Sequence, residues 1–211
     1  MLVDRIQKLR FQSSVRDYLG VSSIGDTCDR KLWRNKYQPI VEEYGYQQHD
    51  RFERGNWEEE RILQHVKRCD FRVEATQMPL EVGSLKGHLD AIIRDLSDNS
   101  LYVLEIKTMM QKYFKDWVKR GVQETHHTYW VQCQCYMGMT GIDTAILIVR
   151  NIDNEELQEE IITFNDKVYK AHLEKAKRID KAKIAPMGMT ALKKKHYSCA
   201  WCKYEDECWG V

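Results

Sequence analysis

The sequence has few prolines, no long apolar run and almost no net charge, and the first two of these absences narrow what the chain can be. Only 3 of its 211 residues are proline, and the sequence has no low-complexity linker and no internal repeat. No apolar run approaches the roughly 20 residues that a membrane-spanning helix needs. Residues 1–20 carry charges and lack the apolar core of a signal peptide. We therefore expect a cytoplasmic protein that does not enter a membrane.

The charge balance leaves the class of partner open. Lysine and arginine number 33 against 32 acidic residues, for a formal net charge of +1. Such a total neither supports nor excludes nucleic acid, because phosphate binding depends on a local basic face. The 43% hydrophobic residues and six tryptophans predict a packed core rather than disorder. The length suits a single integrated domain.

The order of predicted elements is typical of an α/β domain, a core sheet flanked by helices. Charged stretches with spaced apolar residues predict helices, and short β-branched runs between turn residues predict strands. The predicted helices are 4–18, 28–33, 52–67, 125–138 and 166–183, and the predicted strands are 72–82, 86–95, 101–108, 144–150 and 158–164. The turns between the first three strands are short, which favours antiparallel neighbours.

Two neighbouring strands carry the sharpest catalytic pattern. One contains Asp90 and the next contains Glu105 and Lys107, which lie on the same side of their strand because side chains alternate. Ile106 between them points to the opposite, buried side. A hairpin connection is expected to bring Asp90 beside Glu105.

That arrangement has a chemical use. Mg²⁺ and Mn²⁺ take carboxylate oxygens, stabilise charge on a phosphodiester and activate a bound water, and a nearby lysine can position that water. The plain alternative is a salt bridge between Lys107 and the two acids, which is common on antiparallel sheets.

Two predicted helices add further candidates. Glu59 lies in the helix before the strands, and Gln132 and Tyr136 lie at i and i+4 on one face of the helix after them. Such a face can meet a nucleic-acid backbone through an amide and a phenol. Ordinary helix surface is the alternative for each.

The cysteines form a separate pattern. Seven cysteines in a reducing compartment point to metal or catalysis rather than disulfides, and an odd number leaves one unpaired in any disulfide scheme. Cys199, Cys202 and Cys208 form C-x₂-C-x₅-C, and Cys28 is the available fourth ligand. Four thiolates suit either zinc or an iron–sulfur cluster. We expect Cys133 to be a buried core residue, like its neighbour Cys135.

In their order along the chain these motifs resemble the RecB-like branch of the PD-(D/E)XK nucleases. The matching pairs are Gly55/Glu59, Gly87/Asp90, Glu105/Lys107 and Gln132/Tyr136. The resemblance implies a restriction-endonuclease-like core, a divalent ion on Asp90, Glu105 and the Ile106 carbonyl, and Lys107 as the catalytic lysine. It also implies that Gln132 and Tyr136 lie beside DNA. RecB-like members usually carry histidine at the position of Glu59, whereas lambda-type viral exonucleases often carry glutamate, and we expect Glu59 to be a metal ligand.

One cysteine before these motifs and three after them resemble the iron-staple nucleases, which include AddB and the CRISPR adaptation nucleases. The resemblance implies a [4Fe–4S] cluster on Cys28, Cys199, Cys202 and Cys208, with zinc as the lesser alternative. We therefore expect an N-terminal helical region at 1–70, a nuclease core at 71–185 and a cysteine-rich cap at 186–211, which the cluster joins to the N-terminal region.

The function that this resemblance implies is a Mg²⁺- or Mn²⁺-dependent deoxyribonuclease. We expect an exonuclease that acts on single-stranded DNA or DNA ends in recombination, end processing or CRISPR adaptation, with a viral or CRISPR-associated origin. Its expected partners are DNA, a possible second copy of itself, and recombination or CRISPR proteins. The alternative is an inactive DNA-binding or assembly module that has kept a structural iron–sulfur or zinc site.

Overall fold

The computed structural model describes residues 1–188 and 196–210. The helices are α1 (Leu2–Gln7), α2 (Asp29–Tyr37), α3 (Tyr46–Val66), α4 (Gln111–Arg120), α5 (Val122–Thr125), α6 (His127–Thr140), α7 (Asp166–Lys181) and α8 (Glu205–Trp209), with a 3₁₀ helix at Tyr197–Trp201. The strands are β1 (Arg10–Gln12), β2 (Leu19–Gly20), β3 (Glu43–Gly45), β4 (Phe71–Val82), β5 (Leu85–Asp95), β6 (Leu101–Met109), β7 (Thr144–Asn151) and β8 (Leu157–Thr163).

A mixed six-stranded sheet forms the centre of the molecule. Its strands run in the order β2-β5-β6-β7-β8, and β4 pairs with the other edge of β5. The pairs β4–β5, β5–β6 and β7–β8 are antiparallel, as short turns require, and β6 and β7 are parallel across the connection through α4–α6. The predicted α/β class, with a central sheet flanked by helices, is confirmed.

The two faces of the sheet are covered by different helices. The larger core lies between the sheet and α2, α4, α6 and α7, and the smaller core lies under α3 through Ile62 and Leu63. On β6, Val103 belongs to the larger core, whereas Leu104 and Ile106 belong to the smaller one. Because side chains alternate along a strand, Glu105 and Lys107 lie on the face of the sheet that α6 covers.

The helix predicted over 4–18 is wrong beyond its first turn. The helix ends at Gln7, and Arg10–Gln12 pairs with Glu43–Gly45 in a separate two-stranded sheet. No residue of α1 is buried, so the segment has no apolar face packed on a core to extend the helix. The other predicted elements are confirmed to within a few residues, except that the third helix begins six residues earlier, at Tyr46.

Within the part of the chain that the structure describes, none of the helices is long and apolar enough to cross a lipid bilayer.

Candidate active site

The predicted catalytic residues lie where two strands of the sheet separate. β5 and β6 pair from Arg94↔Leu101 to Ala91↔Leu104, and the register ends immediately before Asp90 and Glu105. Beyond this point β5 pairs with β2, while β6 continues along β7. The separation leaves a cleft in the sheet, and Asp90 spans it by accepting a hydrogen bond from the Ile106 backbone N–H through Oδ2 at 2.8 Å.

Glu105 is fully buried and is held from two sides. Its Oε1 accepts a hydrogen bond from Gln132 Nε2 on α6 at 2.6 Å and forms an ion pair with the Lys107 ammonium. The predicted salt bridge between Lys107 and Glu105 is therefore present, and both of its members are also predicted catalytic residues. Its Oε2 is buried and has no hydrogen-bond partner among the described residues.

Burial and mutual repulsion raise the pKa values of the carboxyl groups. Burial raises the pKa of Glu105 to about 8, and the charge of Lys107 opposes this shift while that of Asp90 adds to it. Burial likewise raises the pKa of Asp90, against the charge of Lys107 and the Ile106 N–H. For Lys107, burial lowers the pKa, but the charges of Glu105 and Asp90 outweigh it and raise the value overall, so the ammonium stays charged at neutral pH.

Glu59 faces the same cleft from α3. Burial, followed by the charge of Asp90, raises the pKa of its half-buried carboxyl. Its Oε1 accepts a hydrogen bond from Gln77 on β4. Gln77 stands across from Asp90 in the β4–β5 register and has a φ of 47°, a strained value for a residue with a side chain.

These side chains fit a hard divalent cation. An orphaned buried carboxylate oxygen is costly, and burial raises the pKa values of Asp90 and Glu105 because it disfavours their charged forms. Both features are relieved by a cation beside Asp90 and Glu105. No three His, Cys, Asp or Glu side chains in the described ranges are grouped tightly enough to hold an ion by themselves.

Gln132 and Tyr136 both face inward. Gln132 is 4% exposed and Tyr136 is 2% exposed, so the alternative of ordinary helix surface is wrong for both. The Tyr136 hydroxyl donates to the His88 carbonyl at 2.7 Å. A Cβ at Gly87 would lie 2.7 Å from that hydroxyl and 2.9 Å from Val21 Cβ, so the glycine of the predicted G-x-x-D motif allows close packing. Contact of Gln132 or Tyr136 with DNA stays a prediction.

Sequence reasoning missed the buried ion pair that docks α3 on the sheet. Arg150 Nε on β7 lies 3.0 Å from Glu58 Oε2, and the two side chains are 7% and 9% exposed. Glu58 therefore points inward while its neighbour Glu59 faces the cleft. The spacing of Glu58 and Ile62, at i and i+4, was the available sign of the inward position.

The four predicted cluster cysteines line one small cavity. Cys28 precedes α2, and Cys199, Cys202 and Cys208 reach it from the other end of the chain. Burial raises the pKa of Cys202, and the charges of Cys28 and Cys208 add to the shift, as expected for neighbouring thiols. Three cationic side chains border the same cavity: Arg30, Lys31 and Arg34.

Polar contacts hold the described part of the cap against α2. The Tyr204 hydroxyl donates to Asn35 Oδ1 at 3.1 Å, and Arg34 pairs with Glu207. All seven cysteines are free of disulfides, and Cys133 and Cys135 are fully buried, as predicted. Residues 189–195 and 211 of the predicted cap lie outside the described residues.

Solved structures with the same fold include exonucleases. The chain superposes on the protein SSO0001 with a TM-score of 0.56 at 18% identity, over 94% of this chain and 88% of that one. An alkaline exonuclease, LHK-Exo, from Laribacter hongkongensis gives a TM-score of 0.57 at 14% identity, over 77% and 86%. A phage-related exonuclease from Haemophilus somnus 129PT gives 0.51 at 14% identity, over 81% and 93%.

At these identities the likeness establishes a shared fold. No protein-family model matches the sequence. No curated protein matches it either.

Proposed function

We propose that this chain is a divalent-metal-dependent deoxyribonuclease, an exonuclease that acts on DNA ends or single strands. The observation that carries the proposal is the meeting of Asp90, Glu105 and Lys107 at the cleft between β5 and β6, with Glu59 facing them from α3. Two structural neighbours are exonucleases, and one of them, LHK-Exo, is known in complex with dAMP. These likenesses support nuclease chemistry here, and recombination, end processing or CRISPR adaptation is the setting that we propose for it.

Each residue of the site has a role in this proposal. Asp90, Glu105 and the Ile106 carbonyl would hold Mg²⁺ or Mn²⁺, and Glu59 would complete the site directly or through water. When bound, the ion supplies charge neutralisation at a phosphate and acidifies a water. The Lys107 ammonium, 21% exposed at the cleft, orients the attacking water and stabilises negative charge on the phosphate oxygens. Gln132 keeps the Glu105 carboxylate in place from the interior side.

The cysteine cavity is proposed to hold a [4Fe–4S] cluster. Four thiolates suit iron–sulfur or zinc, and bordering cations offset the negative charge of such a site. One zinc ion requires its sulfurs at about 2.3 Å from a common centre. We favour the cluster over zinc because one distant cysteine joins three clustered ones, whereas a structural zinc site usually comes as two close pairs. The cluster would tie α2 to the C-terminal cap and stabilise the fold.

The test of the nuclease is cleavage of end-labelled single- and double-stranded DNA by protein purified without oxygen, with Mn²⁺ or Mg²⁺. We expect metal-dependent degradation that Lys107→Ala abolishes. Lys86→Ala is the matched control, because Lys86 lies on the neighbouring strand and pairs with Glu81 on the surface. Ladders from each labelled end give the polarity. DNA binding without cleavage on every substrate would favour the inactive binding module instead.

A further inference from the structure

A groove of about 750 Å³ opens beside Lys107, between α3 and the N-terminal ends of α4 and α6. Thr108, which follows the lysine on β6, lines it, so the groove begins at the edge of the candidate active site. Its volume lies within the range of roughly 300–1,000 Å³ that is usual for sites that bind small organic ligands. The groove is therefore large enough for one or more nucleotides next to the reacting phosphate.

Three aromatic rings form a row along one wall of this groove. The rings of His126 and Tyr129 are stacked, with centroids 5.4 Å apart and planes at 8°. Tyr113, 46% exposed, meets His126 edge-on at 6.4 Å. At the inner end, Lys107 Nζ lies 5.4 Å from the centroid of the Tyr129 ring. The row leads from solvent to the catalytic lysine. Burial lowers the pKa of His126, so this ring is neutral at pH 7.

The opposite wall carries two cationic side chains. Arg51 and Arg54 are exposed, line the groove and lie at i and i+3 on one face of α3. Neither guanidinium is within ion-pairing distance of a carboxylate in residues 1–188 and 196–210. Two acids also line the groove, Asp50 and Asp153, and Asp153 is engaged in accepting a hydrogen bond from the Gln111 backbone N–H at 2.7 Å.

We propose that this groove binds the unpaired bases of a single DNA strand. A base stacks on the exposed ring of Tyr113, the next nucleotides lie along the stacked His126–Tyr129 pair, and the backbone phosphates lie beside Arg51 and Arg54. Aromatic platforms combined with a basic track are the usual means of binding single strands, because a base offers its face only when it is unstacked from a duplex. Resting on the proposed nuclease activity, the groove is the place where that nuclease holds the unpaired nucleotides next to the scissile phosphate.

The test compares two fluorescent probes by anisotropy in the presence of a chelator, so that no cleavage occurs. One probe is a short oligothymidylate, and the other is an abasic strand with the same number of phosphates. We expect the oligothymidylate to bind more tightly, by about tenfold for each stacked base. Tyr113→Ala should lower the affinity for the oligothymidylate about tenfold and leave the affinity for the abasic strand unchanged. Tyr113→Phe should retain wild-type affinity for both.

Arg54→Gln supplies the complementary variant. It should weaken both probes equally and reduce the slope of log affinity against log salt by about 0.7, the value for one phosphate contact on a single strand. Equal affinity of the wild-type protein for the two probes would overturn the proposal, as would equal loss of both probes on Tyr113→Ala. The wild-type comparison needs no variant, so it decides the question even if a substitution impairs folding.

The binding result is independent of the nuclease assignment. If the protein degrades DNA but binds the two probes equally, the nuclease assignment stands and the proposed binding of bases in the groove is refuted. If the protein prefers the oligothymidylate but cleaves no DNA, the binding of bases in the groove stands and the nuclease assignment is refuted.

Discussion

Gln132 Nε2 donates a hydrogen bond to Glu105 Oε1 at 2.6 Å, joining helix α6 to strand β6 inside the protein. Both side chains are less than 5% exposed, so the contact is not shared with bulk water. The amide fixes one carboxylate oxygen, while Oε2 has no hydrogen-bond partner in the described ranges. This geometry assigns Gln132 the role of a positioning residue for the proposed metal ligand.

We predict that Gln132→Met weakens metal activation without abolishing the fold. Loss of a group that orients a metal ligand typically costs 10–100-fold in metal affinity or activity. The measurement is the Mn²⁺ concentration that gives half-maximal DNA cleavage, which should rise by roughly that factor.

Gln134→Met is the matched control on the same helix. Gln134 is also buried, but its amide bonds the Thr163 carbonyl and the Asn165 N–H, away from the carboxylates. It should lower the free energy of unfolding by about 1–3 kcal/mol and leave the Mn²⁺ midpoint unchanged. An unchanged midpoint for Gln132→Met would refute the positioning role.

Local patterns predicted much of the fold, and they failed where tertiary contacts decide orientation. The alternation around Glu105 and Lys107 and the short turns between β4, β5 and β6 were sufficient to bring Asp90 to this position. Helix α6 is different, because every residue from 131 to 137 is buried. Its periodicity therefore gives no polar face, and the inward direction of Gln132 follows only from packing against the sheet.

The rest of the site depends on distant segments with no local pattern. Gln77 donates a hydrogen bond to Glu59 and has a positive φ. It lies in the middle of β4, where no turn composition indicates such a backbone. The aromatic row beside Lys107 draws on two helices, and α4, which supplies Tyr113, lies in a segment for which no element was predicted. Such contacts exist only once the sheet and its helices have assembled.

We predict that the metal-free protein loses stability as pH rises from about 4.5 to about 8, the interval over which burial shifts the pKa of Glu105. In this interval the folded state retains a proton that the unfolded state has released. The free energy of unfolding therefore falls with pH, by at most about 1.4 kcal/mol per pH unit for one proton. Glu105→Gln removes this contribution, and the pH dependence from Asp90 and the histidines largely cancels in the comparison.

The measurement is urea unfolding of wild type and Glu105→Gln across that pH range, with chelator or with Mg²⁺. The wild-type decline should be steeper than that of the variant in chelator and should diminish in Mg²⁺, because the cation replaces the proton. Parallel curves for the two proteins in chelator would contradict the prediction.

We predict that Arg150→Met destabilises the protein by about 3–5 kcal/mol, because it removes the buried partner of Glu58 Oε2 and leaves that carboxylate only the exposed Arg61, at 3.3 Å from Oε1. Glu58→Leu combined with Arg150→Met should recover most of that loss, since a buried ion pair can often be replaced by apolar side chains of similar size. Urea unfolding measures both. Glu155→Gln is the control, because Glu155 is 61% exposed and its pair with Arg150 should contribute less than about 1 kcal/mol. A double variant no more stable than Arg150→Met would contradict this account.

We predict that Cys28→Ser yields protein with little iron and sulfide and with low solubility, whereas Cys69→Ser remains brown and soluble. Cys28 shares its cavity with Cys199, Cys202 and Cys208, while Cys69 is exposed and lies outside it. Because metal binding contributes directly to folding, loss of one thiolate should act on stability first. Cys199→Ala and Cys208→Ala should behave like Cys28→Ser. Iron and acid-labile sulfide are measured on protein purified without oxygen, together with its melting temperature. A soluble Cys28→Ser protein with no cluster and an unchanged melting temperature would refute the stabilising role, and zinc without iron in the wild-type protein would refute the cluster itself.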